Sequence, residues 1–138
     1  MISVVETTDL ATCHALRRKV FIEEQAVPEE DELDDRDEGA VHLLASVGDR
    51  PMGSARLLLE GATATIGRVC VVPEARGTGL GRTLMLAALD SLRARGITRA
   101  ELGAQCQAIG FYEALGFVAE GPEYMDAGIA HRHMILPL

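Results

Sequence analysis

Lysine is almost missing from this chain: Lys19 is the only one among 138 residues. That removes the mononucleotide P-loop, GxxxxGK[ST], whose lysine must reach the phosphates. Basic charge is scarce in general. Thirteen Lys and Arg face 21 Asp and Glu, a formal net charge of −8, whereas a nucleic-acid binder needs a basic face to neutralise phosphates. Cysteine is scarce too. Cys13, Cys70 and Cys106 are odd in number, far apart and without a CxxC pair, a pattern that reads as reduced thiols in a cytoplasmic protein. No apolar run approaches the roughly 20 residues that span a bilayer. The start MISVVETTDL lacks the basic and apolar regions of a secretory signal. No GxSxG nucleophile elbow occurs. His131 and His133 share one face of a strand without a carboxylate or thiol at ligand spacing, and DELDDRDEG lacks the order of an EF-hand loop, so no metal is expected.

What is present is ordinary for a globular chain, with 48% hydrophobic and 25% charged residues. The length predicts a single domain over 1–138, and no repeat or linker divides it. ISVVE reads as a strand. Thr8 or Asp9 then caps a helix whose apolar residues Leu10, Cys13, Leu16 and Val20 recur at helical spacing, with Pro28 marking its end or a break. AVHLLASV and SARLLLE form a hairpin around GDRP, and ATIGRVCVV is a further strand closed by Pro73. A helix follows, with Leu84, Ala88 and Leu92 on one face, Met85 and Leu89 beside it, and Gly96 just past its end. ITRAELGAQ returns as a strand, AIGFYEAL is a short helix stopped by Gly116, and the remainder is a closing hairpin. Strand–turn–helix–strand in the middle implies a parallel pair with a crossover, flanked by antiparallel strands. The class is α/β or α+β, with a mixed, mostly antiparallel sheet and flanking helices.

The acidity is concentrated. Ten carboxylates and one base, Arg36, lie between Glu23 and Glu38. Two readings stay open: a solvated loop, or a rim that attracts a cationic substrate such as an amine.

Three glycines, Gly77, Gly79 and Gly81, crowd the turn between the third strand and the long helix. The first amide N–H groups of a helix have no intrahelical partner, and a turn bare of side chains lets a phosphate reach them. One glycine would serve a plain connection. The dinucleotide fingerprint GxGxxG fails at its last glycine, which is Arg82, and only one βαβ unit is present to carry it. What remains is R-x-x-G-x-G, filled by Arg76, Gly79 and Gly81.

With those residues in view, IGRVCVVPEARGTGLGRTLM resembles the acetyl-coenzyme A motif of the Gcn5-related N-acetyltransferases (GNAT). AIGFYEALGF resembles that family's second motif, about 30 residues on. RRKVFIEEQAVPEEDELDDRDEGAVHLLA and AGIAHRHM are similar to the ElaA/YjcF-like subgroup. The resemblance implies an acyltransferase fold whose central parallel strands splay apart. Backbone N–H groups of Arg76, Gly77, Thr78, Gly79, Leu80 and Gly81 would hold a pyrophosphate, and the strand edge at Val69, Cys70 and Val71 would pair with the pantetheine arm. Arg82 and Thr83 would touch the phosphates, and Gln105 stands where the family often has asparagine.

Such a transfer needs an amine freed of its proton, which near pH 7 requires a base because a lysine-like amine has a pKa of about 10.4. It also needs a donor for the oxyanion, implied near Val71, and an acid for the thiolate. Tyr112 matches the family's acid tyrosine. His42 and His131 are candidate bases, histidine being the usual side chain for that work near neutral pH, with Glu24, Glu101 and Glu120 as alternatives. Glu23, Glu24 and Gln25 are candidate acceptor-site residues. The expected activity is direct acetyl transfer from acetyl-CoA to a primary amine of a small molecule or peptide; dimers are common in the family the chain resembles, and whether this chain forms a homodimer stays open. Two rivals stay open. VFIEEQ is also similar to acyl-homoserine-lactone synthases, and the scaffold suits a non-catalytic module that binds acyl-CoA.

Overall fold

The computed structural model describes residues 1–138. β1 (Ile2–Thr7) leads into α1 (Leu10–Arg17). Asp9, not Thr8, caps that helix, and its carboxylate accepts the Thr12 amide at 3.1 Å. Apolar spacing from Leu10 to Val20 predicts one helix. Instead the α-helix ends at Arg17 and the chain goes on in wider π turns over Arg18–Glu24. Gln25 closes them, donating its N–H to the Val20 carbonyl five residues back at 3.1 Å. Stretches of this kind gather at functional sites, and this one carries Phe21, Glu24 and Gln25 to a cleft. A single turn, α2 (Glu29–Glu32), follows within the acidic run.

β2 (Val41–Val47), β3 (Arg50–Glu60) and β4 (Thr63–Val71) are joined as successive antiparallel hairpins. Every β3 residue from Met52 to Leu57 is buried. A strand buried at consecutive positions has cover on both faces, and β3 is packed by α1 and by α3 (Leu80–Ala94). The expected stripe is the buried one: Leu84, Ala88 and Leu92 with Met85 and Leu89, extended by Leu80. α3 ends as the sequence suggests. Gly96 takes φ +77°, and Ile97 donates its N–H to the Leu92 carbonyl at 3.0 Å, which satisfies an otherwise orphaned acceptor.

The crossover through α3 lays β5 (Arg99–Gln105) parallel to β4. After the short α4 (Ile109–Glu113), β6 (Val118–Asp126) and β7 (Ile129–Pro137) close the sheet, whose order is β1-β2-β3-β4-β5-β7-β6. It is a mixed, mostly antiparallel seven-stranded sheet with helices on its faces, as expected. No helix is long and apolar enough to cross a membrane.

Two irregularities open the centre of this sheet. β4 pairs with β5 only from Thr63 to Thr65, although β4 runs to Val71. Past that point the two strands part. On the other side of β4, Cys70 faces Ser54 while Gly67 faces Arg56. A step of three residues on β4 thus meets a step of two on β3, which is a bulge. Arg68 sits at the bulge with φ +51°.

Candidate active site

Where β4 and β5 part, the molecule holds a cleft of about 940 Å³. One half is walled by the glycine turn. Arg76, Gly77, Gly79, Gly81 and Arg82 line it. Gly79, the residue that precedes α3, has φ +87°, and Gly77 has φ +77°. A Cβ built on either would meet nothing within 4 Å. Space above this backbone is therefore open, and the first N–H groups of α3 face it without intrahelical partners. Gly79 has no side chain to cap them, and only the Leu80 amide finds a side-chain acceptor, Thr78 Oγ1 at 3.4 Å.

Other candidates of this stretch turn elsewhere. Leu80 is fully buried in the core. Thr78 donates its hydroxyl to the Ala75 carbonyl at 2.5 Å, and Thr83 donates its own to the Gly79 carbonyl at 3.0 Å. These three offer backbone at most. Val69, Cys70 and Val71 line the cleft past the last β4–β5 pair. The Cys70 side chain points to the core, where burial pushes its thiol pKa up.

Tyr112 lines the same cleft from α4 and is only 9% exposed. Phe111 and Phe117 hold its ring edge-on, with centroids 5.0 and 6.0 Å away. Burial pushes its pKa up to about 12, so the phenol is protonated at neutral pH. Gln105, at the end of β5, exchanges two amide hydrogen bonds with Gln25 at 3.1 and 2.9 Å. Residues expected on opposite sides of the reaction are thus joined across the cleft.

The two histidines part company. His42 is buried on β2, outside the cleft, with Nε2 2.8 Å from the Asp37 carbonyl. Because a carbonyl only accepts, that nitrogen carries the hydrogen and its lone pair is gone. His42 therefore does not stand among the groups that face this cleft. His131 on β7 does line it. Its Nδ1 lies 2.7 Å from the Ile129 carbonyl, which by the same logic leaves the Nε2 lone pair free. Among the alternative bases, Glu24 is bound by both terminal nitrogens of Arg76 at 2.6 Å, and that pairing lowers its pKa. Glu101 accepts from His133 at 2.9 Å, with Glu120 3.8 Å from the same ring. Glu23 is exposed and does not reach the cleft.

Neither reading of the acidic run accounts for its inner half. Glu32 and Asp37 are buried with Arg17 and Arg56. Arg17 binds Glu32 through Nε and Asp37 through Nη1 at 2.8 Å. Arg56 grips Asp34 with both terminal nitrogens at 2.8 and 3.1 Å and reaches Asp37 at 3.1 Å. Arg68, from the bulge, donates to the Glu32 carbonyl at 3.0 Å and to Asp34 at 3.3 Å. Burial alone raises the pKa of Asp37, but hydrogen bonds from Arg17 and His14 reverse that and hold it well below the usual carboxylate range. The segment is folded inward on three arginines and forms the cleft's second wall. Arg17 and Arg56 each interrupt an apolar pattern, which is the signal that could have found them.

The sequence and the fold agree with known proteins. The profile of the acetyltransferase (GNAT) domain matches residues 7–138. YjcF of Bacillus subtilis, an uncharacterised N-acetyltransferase, is 33% identical over 87% of this chain and 86% of its own. ElaA of Escherichia coli is 28% identical with a TM-score of 0.86, covering 98% of this chain and 99% of its own. An acyl-CoA N-acyltransferase of Pseudomonas aeruginosa is 31% identical with a TM-score of 0.83, covering 98% and 97%. With the profile matching nearly the whole length, the chain belongs to the GNAT acetyltransferase family.

Proposed function

We propose that the protein transfers an acetyl group from acetyl-CoA directly to a primary amine of a small molecule or peptide, without a covalent enzyme intermediate. The meeting of two half-sites in one cleft carries this reading. On one side stands the open main chain at Gly77 and Gly79, at the N-terminus of α3, and on the other stand Tyr112 and the free Nε2 of His131. Amide donors at a helix start suit a diphosphate, and the unpaired edge of β4 from Val69 to Val71 suits the amide-bearing arm. The thioester supplies the acetyl group; the residues below do the rest.

His131 takes a proton from the incoming nitrogen at Nε2, while its Nδ1–H stays on the Ile129 carbonyl. Tyr112 donates a hydrogen bond to the sulfur as the C–S bond breaks. With its pKa at about 12, full ionisation of the phenol is uphill, because a thiol is the stronger acid at about 8.5. The net proton therefore passes from the amine to the thiol or to solvent. Arg76 and Arg82 add positive charge beside the loop, and Gln25 with Gln105 forms a neutral bridge over the slot.

The purified protein, incubated with acetyl-CoA and a panel of mono-, di- and polyamines, amino sugars and peptides with free N-termini, tests this. Release of free CoA thiol together with an amine product heavier by one acetyl group is the expected result. Thiol release without an acetylated amine, or an acetyl group left on the protein, would overturn direct transfer.

A further inference from the structure

Tyr124 is not among the residues that the sequence motifs single out, yet it stands against the one histidine that lines the cleft. It lies directly opposite His131 in the β6–β7 register. Their rings stack, with centroids 5.7 Å apart and planes 23° apart. The Tyr124 hydroxyl rests over Gly103 of β5: a Cβ built on that glycine would lie 2.2 Å from the oxygen. Gly103 does not adopt positive φ, so its conformation places no demand for glycine. The tyrosine does, since a strand glycine marks a place where another group must come close. All three residues line the cleft.

These contacts fix the imidazole at two points. The Ile129 carbonyl holds Nδ1 at 2.7 Å and sets the tautomer, and the Tyr124 ring sets the plane. We propose that Tyr124 is a positioning residue: its ring, admitted by the missing side chain at Gly103, holds His131 so that Nε2 faces the incoming nitrogen. The proposal rests on the reading of His131 as the proton acceptor. It gives the phenyl ring the work and leaves the hydroxyl dispensable. Tyr124 is 42% exposed, so changing it does not open the core.

Four variants separate the possibilities: Tyr124→Phe, Tyr124→Leu, His131→Gln and the double Tyr124→Leu/His131→Gln. Each is assayed for kcat and both KM values, after circular dichroism has established the fold. Tyr124→Phe keeps the stack and is expected to retain kcat within about twofold. Tyr124→Leu is expected to lose kcat roughly tenfold with KM for acetyl-CoA unchanged, because misplacing a catalytic group costs rate more than binding. In the His131→Gln background the leucine has nothing left to misplace and should cause no further loss. An equal loss in both backgrounds would show that Tyr124 acts on its own and overturn the proposal. So would a leucine variant with wild-type kcat alongside a slow His131→Gln. If His131→Gln itself retains kcat, the assignment of the base falls and the proposal with it. NMR of the free protein distinguishes these failures. The His131 ring protons should show a ring-current shift in wild type and Tyr124→Phe that disappears in Tyr124→Leu, whatever the identity of the base.

Discussion

The two walls of the cleft are built in opposite ways. The wall of Arg76–Arg82 works by withdrawing side chains: Gly77 and Gly79 leave open space, Leu80 turns into the core, and Thr78 and Thr83 bind their own loop. The wall of Glu24–Glu38 works by locking side chains together, with Glu32, Asp34 and Asp37 gripped by Arg17, Arg56 and Arg68. A backbone site recognises a group common to many substrates and tolerates no added atoms. The inner part of that wall, where three carboxylates face three guanidinium groups, is rigid in shape and close to neutral. The contrast teaches that part of the run's acidity, Glu32, Asp34 and Asp37, is structural. These three shape that side of the cleft, while Asp31, which lines the cleft, stands without an ion pair.

The sharpest way to break the first wall is to give it a side chain. Gly79→Glu places a carboxylate where the diphosphate is proposed to lie and forces a non-glycine residue to φ +87°. Acetyl-CoA affinity measured by calorimetry should fall by more than about 100-fold, since like charges at contact and lost amide donors act together. The circular dichroism spectrum should stay that of the wild type. Retained affinity would remove the loop from the binding site.

To break the second wall, one partner of the buried network is removed. Arg17→Met strands Glu32 and Asp37 without their main counter-charge. Removing one member of a buried pair costs roughly 3–5 kcal/mol, which should appear as a large drop in the urea midpoint. Acid should act on the same wall. Asp37 has its folded pKa depressed, so its contribution to stability is present above its unfolded pKa, about 3.9. It is lost as pH falls from there towards the folded pKa. The wild type should lose stability below about pH 4 more steeply than Asp37→Asn. Equal slopes would mean that this carboxylate does not hold the segment in place.

This difference also decides what could be read from the chain. The glycine wall was legible because its physics is local. Three glycines, a preceding β-branched strand and a following amphipathic helix lie within some 25 consecutive residues, and Tyr112 follows in a short motif of its own. The charged wall was not. Arg17 meets Glu32 and Asp37 at separations of 15 and 20 residues, and Arg56 meets Asp34 at 22. No periodicity encodes such pairs, so the run reads as solvated surface or as a rim. The placement of His42 away from the cleft is hidden for the same reason: nothing local tells that Asp37 folds back to its ring. The π turns of Arg18–Glu24 are equally silent, because the apolar spacing through Val20 suits an α-helix.

Between the walls, Tyr112→Phe tests whether chemistry and binding separate. The ring is retained, so its packing against Phe111 and Phe117 should hold and KM for acetyl-CoA should change little. kcat should fall roughly 100- to 1,000-fold, the range for losing one donor to a developing charge. A phenol that ionises only near pH 12 also predicts that kcat of the wild type shows no descending limb attributable to Tyr112 below about pH 10. A full rate in the phenylalanine variant at every pH would take the hydroxyl out of the mechanism.

The smallest expected effect lies where the two walls touch. Glu24 of the charged wall binds Arg76 of the glycine wall through two hydrogen bonds of 2.6 Å, while the Arg76 Nε donates to the Val71 carbonyl at 3.1 Å. A diphosphate arriving at the loop must compete with that carboxylate for the guanidinium. Glu24→Gln keeps the shape and removes the charge, so cofactor affinity should rise, not fall. The pair is half exposed, and exposed pairs contribute about 0–1 kcal/mol, which limits the gain to roughly fivefold. Because the term is electrostatic, it should shrink between low salt and about 0.5 M salt, where screening is strong. An affinity that drops in Glu24→Gln would reverse the assignment: the carboxylate would then be holding Arg76 in its binding position, and the two walls would cooperate where competition is expected.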